Sequence, residues 1–329
     1  MNVLISAAGR RGALVRLWQA DLRSVDPDGR VVAVDASRLS AAARLADAAE
    51  VVPYTDDPDF LPALLDVCRR HDIGLIVPTH DGEGPAYVRH REALEAAGVV
   101  LSLPGDEAIS VALDKLRTDE WLRAHDIPTV ATAPVQVALD DRDAWPLPLV
   151  VKPARGSSGE GVSVAHTEAD LRWRAREEHW ALIAQEPAGG VEFTADAWAD
   201  RSGTCRCVVP RRRIEVRAGE VSKSLTVRWP EAEALVARLV SALPGAFGCV
   251  TVQFFAQDRD VSSIQVIEIN TRYGGGYPLS WEAGARYPLW TLQELLGLPS
   301  TAAPDQWRDG LAMLRYDDAV FVDGAEVGL

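Results

Sequence analysis

The sequence predicts an α/β protein that begins with a parallel sheet covered by helices on both faces. Three observations carry that expectation. Over the first hundred residues short apolar runs alternate with helical stretches. In the middle, a strand ending in Lys152 enters a loop with three glycines in six residues. Near residues 251–270, two apolar runs separated by a polar turn read as a hairpin.

The elements follow in order. Asn2–Ala7 reads as a buried strand, and Gly9 and Gly12 turn the chain into a helix over Ala13–Leu22. Arg30–Val34 is a second strand ending at Asp35, followed by a strand at Glu50–Pro53, a helix at Pro58–His71 and a strand at Gly74–Pro78. His80-Asp81-Gly82-Glu83 then sits past a strand end, where open α/β sheets place ligand groups. Ala7-x-Gly9-x-x-Gly12 with Asp35 downstream imitates a dinucleotide fingerprint. The first glycine is replaced by Ala7 and two arginines occupy the turn, so the expectation is a Rossmann-like turn that binds no nicotinamide. Nicotinamide, or another small ligand at that edge, stays open.

Composition narrows the function classes. The 329 residues, 47% hydrophobic, supply a large core and, at about 150 residues per domain, two or three units. A net charge of −14 disfavours nucleic acid and anionic membranes as partners. No apolar window of about 18 residues and no secretory pattern is seen, so the expectation is a cytoplasmic protein with no membrane partner. The four cysteines form no CxxC pair, and the six histidines all precede residue 180 without HExxH spacing. Zinc chemistry is therefore disfavoured, and a metal in the C-terminal half would take oxygen ligands, which suits Mg²⁺ or Mn²⁺.

The middle of the chain carries a phosphate-type loop. A helix over Leu113–Ala124 holds Lys115. The strand Leu149–Pro153 ends in Lys152, and Gly156, Ser157, Ser158, Gly159 and Gly161 follow before another strand at Val162–Ala165. Glycines let backbone N–H groups approach an anion, the serines add hydroxyl donors, and Lys152 adds a point charge. The lysine precedes the glycines, so this is no Walker A loop; it reads as a hairpin able to fold over a nucleotide. Leu182–Ala188, containing Gln185, Glu186 and Ala188, is a strand turning polar at its end, followed by a Gly-rich bend and Glu192. Such a bend offers backbone groups to a flat base.

The strands Thr251–Phe255 and Ile264–Asn270 place Glu268 and Asn270 on one face, where Gln253 can join them; Arg272 and Gly274–Gly276 follow. These are hard oxygen donors facing one point, suited to a Mg²⁺ that also takes phosphate oxygens.

With Lys152, the glycine loop, Gln185-Glu186, Glu192 and Glu268-x-Asn270-x-Arg272 in this order, the chain resembles the ATP-grasp superfamily, nearest its carbamoyl-phosphate-synthase-like and carboxylate–amine ligase branches. The resemblance implies a Rossmann-like pre-grasp domain at 1–105, an N-terminal grasp part at 106–187 with a lid at about 128–187, and a C-terminal catalytic part at 188–329. It implies ATP and Mg²⁺ (or Mn²⁺) as cofactors. Lys115 and Lys152 would hold the phosphates, Ser157–Gly161 would close over them, Gln185, Glu186 and Ala188 would line adenine, and Glu192 would take the ribose hydroxyls. Gln253, Glu268 and Asn270 would bind the metal, and Arg272 would face the transferred phosphoryl. The implied reaction is carboxylate activation as an acyl phosphate, then displacement by an amine with release of ADP and phosphate. Lys223 and the run Arg211-Arg212-Arg213 are candidates for substrate carboxylate contacts, Lys223 being grouped with Arg272 as catalytic. The expected partners are small, amino-acid-like acids and amines, and a homodimer is left open. The alternatives are a nucleotide-binding or phosphoryl-transfer protein without a ligase step and an NAD-binding oxidoreductase.

Overall fold

The computed structural model describes residues 1–156, 159–176, 181–217, 219–257 and 259–328. Ser157 and Ser158 lie outside the described residues. The chain runs β1 (Asn2–Ser6), α1 (Gly12–Val25), β2 (Val31–Asp35), β3 (Ala48–Val51), α2 (Phe60–Arg70), β4 (Ile73–Pro78), α3 (Gly84–Ala96) and β5 (Val100–Leu101). Next come α4 (Asp106–Leu113), α5 (Lys115–Ala124), β6 (Thr132–Pro134), α6 (Val135–Asp140), β7 (Leu149–Pro153), β8 (Ser163–Ala165), α7 (Glu168–Arg174) and β9 (Leu182–Gln185). Last are β10 (Val191–Ala199), β11 (Cys205–Arg217), β12 (Glu220–Thr226), α8 (Pro230–Ala242), β13 (Gly248–Ala256), β14 (Gln265–Asn270), α9 (Tyr277–Glu282), α10 (Tyr287–Leu295), β15 (Ala312–Leu314) and α11 (Gly324–Val327).

The first sheet is parallel, in the order β3-β2-β1-β4-β5. Continuous apolar runs such as Val3-Leu4-Ile5 and Val31–Val34 are fully buried because helices cover both faces. On one face α1 packs Leu14, Val15, Trp18 and Leu22 at helical spacing; on the other, α2 packs Phe60, Leu64 and Val67. The strand order reverses between β1 and β4, which opens a crevice at their carboxyl ends. The chain's own groups bond one another at its edge. Asp35 Oδ2 accepts from Gly9 N–H at 2.8 Å, and Thr79 Oγ1 donates to the Ser6 and Ala7 carbonyls at 2.9 and 2.8 Å. Tyr87 donates to Ser6 Oγ at 2.7 Å, and Ser6 in turn donates to Glu83. The acid positioned for a ribose is thus spent capping the turn.

The helix expected over Leu113–Ala124 is α5, which starts at Lys115, and a separate helix, α4, precedes it and ends at Leu113. The chain is extended at Asp114 between α4 and α5, and the Asp114 carboxylate accepts from Leu116 N–H at 3.1 Å. The second sheet, β6-β9-β7-β8, has its own small core of Ala138, Leu149, Val151, Ala165, Leu171, Leu182 and Ala184. Strand alternation along β7 buries Leu149 and Val151 there and turns Lys152 to the opposite face. β7 and β8 pair antiparallel, so the glycine loop is a hairpin connection, as expected.

The third sheet runs β14-β13-β10-β11-β12-β15. One face carries Phe193, Ala195, Val250, Val252, Phe254, Val266 and Ile269 against α8, with Val236, Leu239 and Val240. The other face is polar and forms the site. α9 and α10 return to α1. Asp21, fully buried on α1, accepts from Trp281 Nε1 at 2.9 Å, from Arg286 and from Leu289 N–H at 3.1 Å. Trp281, partly buried, therefore packs against α1. Among the described residues no helix is long and apolar enough to cross a membrane.

Candidate active site

Period-two alternation and strand register assemble the polar face. β13 pairs with β14 so that Gln253 stands opposite Glu268 and Thr251 opposite Asn270. β10 lies beside β13 and β11, placing Thr194 between Gln253 and Arg211. Two cavities open on this face and meet at Glu268, which lines both.

The smaller cavity, about 390 Å³ with the solvent space at its open mouth, is lined by Lys115, Lys152, Pro153, Gly156, Gly159, Glu160 and Val162 besides Glu268. The Lys115 ammonium donates to the Gly156 carbonyl at 2.9 Å. Gly156, Gly159 and Gly161 all have positive φ (129°, 75° and 69°), conformations that a side chain would strain. Burial lowers the pKa of Lys115 against the opposing pull of Glu268, Asp114 and Asp81. Burial and repulsion by Lys115 bring Lys152 down to about 8. Two poorly hydrated cations and a glycine hairpin leave a place that an anion would stabilise.

Glu268 is the counterpart. Burial pushes its carboxyl up, against Lys115, Arg272 and Lys152, which pull it down. A cation fits here: a desolvated carboxylate, with Gln253 opposite and Asn270 beside it, gains most from a positive charge. Among the described residues no group of three His, Cys, Asp or Glu side chains gathers, so such a cation would also depend on amide and phosphate oxygens.

The larger cavity, about 590 Å³ with the solvent space at its open mouth, is lined by Arg11, Arg211, Arg213 and Arg272, with Glu220, Gln253, Asn270 and Gly274–Gly276. Arg272 Nη2 donates to Asn270 Oδ1 at 3.0 Å and to Asp81 Oδ2 at 2.7 Å, and its Nε to the same Asp81 oxygen at 3.1 Å. Arg11, from the turn after β1, donates to the Tyr273 carbonyl at 3.0 Å. Burial, then Arg272, bring its pKa down to about 10.

Of the residues expected from sequence, the geometry brings Lys115, Lys152 and Gly159 to one cavity and Gln253, Asn270 and Arg272 to the other, with Glu268 between. Gly161 lies beside the first, its carbonyl accepting from Arg174 at 2.7 Å. Gln185 is buried and donates to Thr132 Oγ1 at 2.8 Å; Glu186 N–H bonds the Ala131 carbonyl at 3.0 Å, and Ala188 follows, half-buried. Glu192, expected at a ribose, ion-pairs with Arg213 at 3.1 Å. Lys223 is not brought to either cavity: it is half-exposed on β12 and pairs across the strands with Glu215 at 2.7 Å. In the Arg211–Arg213 run, alternation buries the first and third and exposes Arg212. Sequence reading put Asp81 at a strand end where ligand groups gather but did not join it to Arg272, and it missed Arg11, Asp196 and Glu220 as site residues. Asp196 alone carried a local signal, lying four residues beyond Glu192 on the same strand face.

Residues 3–102 match the family described as PylC-like, N-terminal domain, and residues 112–276, half of the chain, match the family described as ATP-grasp domain. The chain is 28% identical over 264 residues to formate-dependent phosphoribosylglycinamide formyltransferase of Burkholderia pseudomallei (strain 668), covering 70% of this chain and 61% of that protein. It is 31% identical over 137 residues to D-alanine–D-alanine ligase of Chromohalobacter salexigens, covering 39% and 40%. It thus spans about three-fifths of the formyltransferase and two-fifths of the ligase. Among solved structures, N5-carboxyaminoimidazole ribonucleotide synthetase from Thermus thermophilus superposes with a TM-score of 0.70 at 20% identity, over 91% of this chain and 79% of that one. The biotin carboxylase domain of Hydrogenobacter thermophilus 2-oxoglutarate carboxylase superposes with a TM-score of 0.73 at 17% identity, over 94% and 73%. On its two-cavity site, its fold and the match over 112–276, the chain belongs to the ATP-grasp family.

Proposed function

We propose that this protein is an ADP-forming, ATP-dependent carboxylate–amine ligase that makes an amide or peptide bond through an acyl phosphate. The observation that carries the reading is Glu268 standing as the shared wall of a lysine- and glycine-lined cavity and an arginine-lined cavity. ATP would lie in the first, its phosphates against Lys115, Lys152 and the 156–161 hairpin, with adenine toward Gln185, Glu186 and Ala188 at the edge of a lid spanning about 128–187. Glu268, Asn270 and Gln253 would hold Mg²⁺, which when bound neutralises charge developing on the phosphates. The small-molecule carboxylate, in the second cavity, attacks the γ-phosphorus. ADP leaves, and an amine then displaces phosphate from the acyl phosphate.

The chain's own contribution is position and charge. Lys115 and Lys152 orient the phosphates in a poorly hydrated cleft, and Arg272, steadied by Asp81 and Asn270, faces the transferred phosphoryl. The test is ADP release from Mg-ATP across a pairwise panel of amino acids. ADP formed only when an acid and an amine are both present supports the ligase; nucleotide binding without turnover on the whole panel overturns it.

A further inference from the structure

The junction between α4 and α5 is bonded to the base of the glycine hairpin through two adjacent residues, Asp114 and Lys115. The chain is extended at Asp114 (φ −122°, ψ 112°), and the turn is fixed from within. Thr118 N–H donates to the Asp114 carbonyl at 2.8 Å, and the buried Thr118 hydroxyl donates to the Val111 carbonyl at 2.6 Å. Three bonds then cross to residues 154–156. Lys115 N–H donates to the Ala154 carbonyl at 2.9 Å, and the Lys115 ammonium to the Gly156 carbonyl at 2.9 Å. Asp114 Oδ2 accepts from Arg155 Nε at 3.1 Å. The other Asp114 oxygen, Oδ1, accepts from Leu116 N–H at 3.1 Å. One carboxylate thus caps the helix that carries Lys115 and ties down the hairpin that faces it.

Holding both bonds takes two acceptor oxygens. An asparagine has one: it would keep the cap and turn an NH₂ donor toward the guanidinium, which only donates. Charge alone gives no reason for an acid here. Next to a lysine that faces phosphates, an acid repels the polyanion the lysine attracts. Nor is Asp114 the main support of the Lys115 charge, since Glu268 acts on it more strongly. What Asp114 adds is a fixed relation between α5 and the hairpin.

We propose that Asp114 and Arg155 are a positioning pair for nucleotide binding, holding the Lys115 ammonium and the base of the glycine hairpin in one arrangement toward the phosphates. A phosphate entering the smaller cavity draws the ammonium away from the Gly156 carbonyl. The Lys115 N–H bond to Ala154 and the Asp114–Arg155 pair stay in place, so the hairpin base does not move away with it. This rests on the ligase reading, which assigns the smaller cavity to the nucleotide.

The test is a double-mutant cycle on the full chain, read by calorimetric titration with β,γ-imido-ATP in the presence of Mg²⁺. Asp114→Asn and Arg155→Gln are each expected to weaken binding by about three- to fivefold, the scale of an ion pair with an exposed partner. The double variant should bind no more weakly than the weaker single one, because either change already breaks the pair. Melting temperatures should stay at the wild-type value, since asparagine keeps the cap. Asp114→Ser, which also retains a cap, takes the place of Asp114→Asn should that variant melt early. Charge acting alone gives the opposite sign for Asp114→Asn, tighter binding, and additive effects in the double variant. Unchanged or tighter binding on loss of the Asp114 carboxylate, or additive losses, overturns the positioning pair. Failure of wild type to bind the nucleotide overturns the ligase reading instead, so the two failures are distinct.

Discussion

Arg272 reaches 191 residues back along the chain to Asp81, whose Oδ2 accepts from both its Nε and its Nη2. The pair is mostly buried and joins the loop after β4 of the parallel sheet to the end of β14 in the site. It ties the first sheet to the candidate site: the loop after β4 supplies the acid that holds Arg272.

Asp81→Asn keeps the shape and removes the charge. It is expected to lower kcat for ADP release by about ten- to hundredfold, since misaimed charge costs transition-state stabilisation, with a smaller change in KM for ATP. Steady-state kinetics with an active acid and amine pair measures this. An equal loss from KM alone would place Asp81 in binding, not in aiming Arg272.

Lys152 and Lys115 sit in a poorly hydrated cavity that an anion would relieve. Either changed to Ala should reduce affinity for β,γ-imido-ATP by about ten- to hundredfold while leaving the melting temperature unchanged or raised. Calorimetry and thermal denaturation on the same samples check both signs.

Glu268 is a carboxylate whose charge burial disfavours. Glu268→Gln should therefore abolish ADP release yet leave the ligand-free protein at least as stable, a common trade at functional sites. Denaturant unfolding read beside the activity assay tests this; a destabilised variant would show that the carboxylate is structural.

Glu83, buried beside Ser6 and Tyr87, is pushed up to about 7 by burial. Between its ordinary value of 4.5 and about 7 the folded chain holds a proton that the unfolded chain has released. Stability from this group is therefore full below 4.5 and is lost as pH rises through 7, by at most about 3 kcal/mol. Glu83→Gln should flatten that slope in unfolding measurements between about pH 4.5 and pH 8.

Those residues were unequally legible in the sequence. Glu268, Asn270 and Gln253 could be placed on one face because period two holds along the strands and the polar turn implied a hairpin. Lys152 and the glycines were legible because strand, cation and turn residues are contiguous. Where Lys223 points could not be read from the sequence, because its direction depends on β11–β12 register, including irregularities near Glu215, which no local pattern encodes. The boundary at Asp114, where α4 ends and α5 begins, was not legible. Only the capping carboxylate marks it, and Asp caps and Asp within helices look alike along a sequence. Arg11 and Glu220 line one cavity through long-range packing of the first sheet against the third, which has no sequence-local trace.

A crystal structure with Mg²⁺ and β,γ-imido-ATP tests the central claim most directly. The terminal phosphoryl is expected at the Glu268 wall, with Lys115 and Lys152 within hydrogen-bond distance of the phosphates and the arginine cavity beyond. A nucleotide seated instead in the β1–β4 crevice, or with its phosphates away from both lysines, would contradict the assignment of the two cavities.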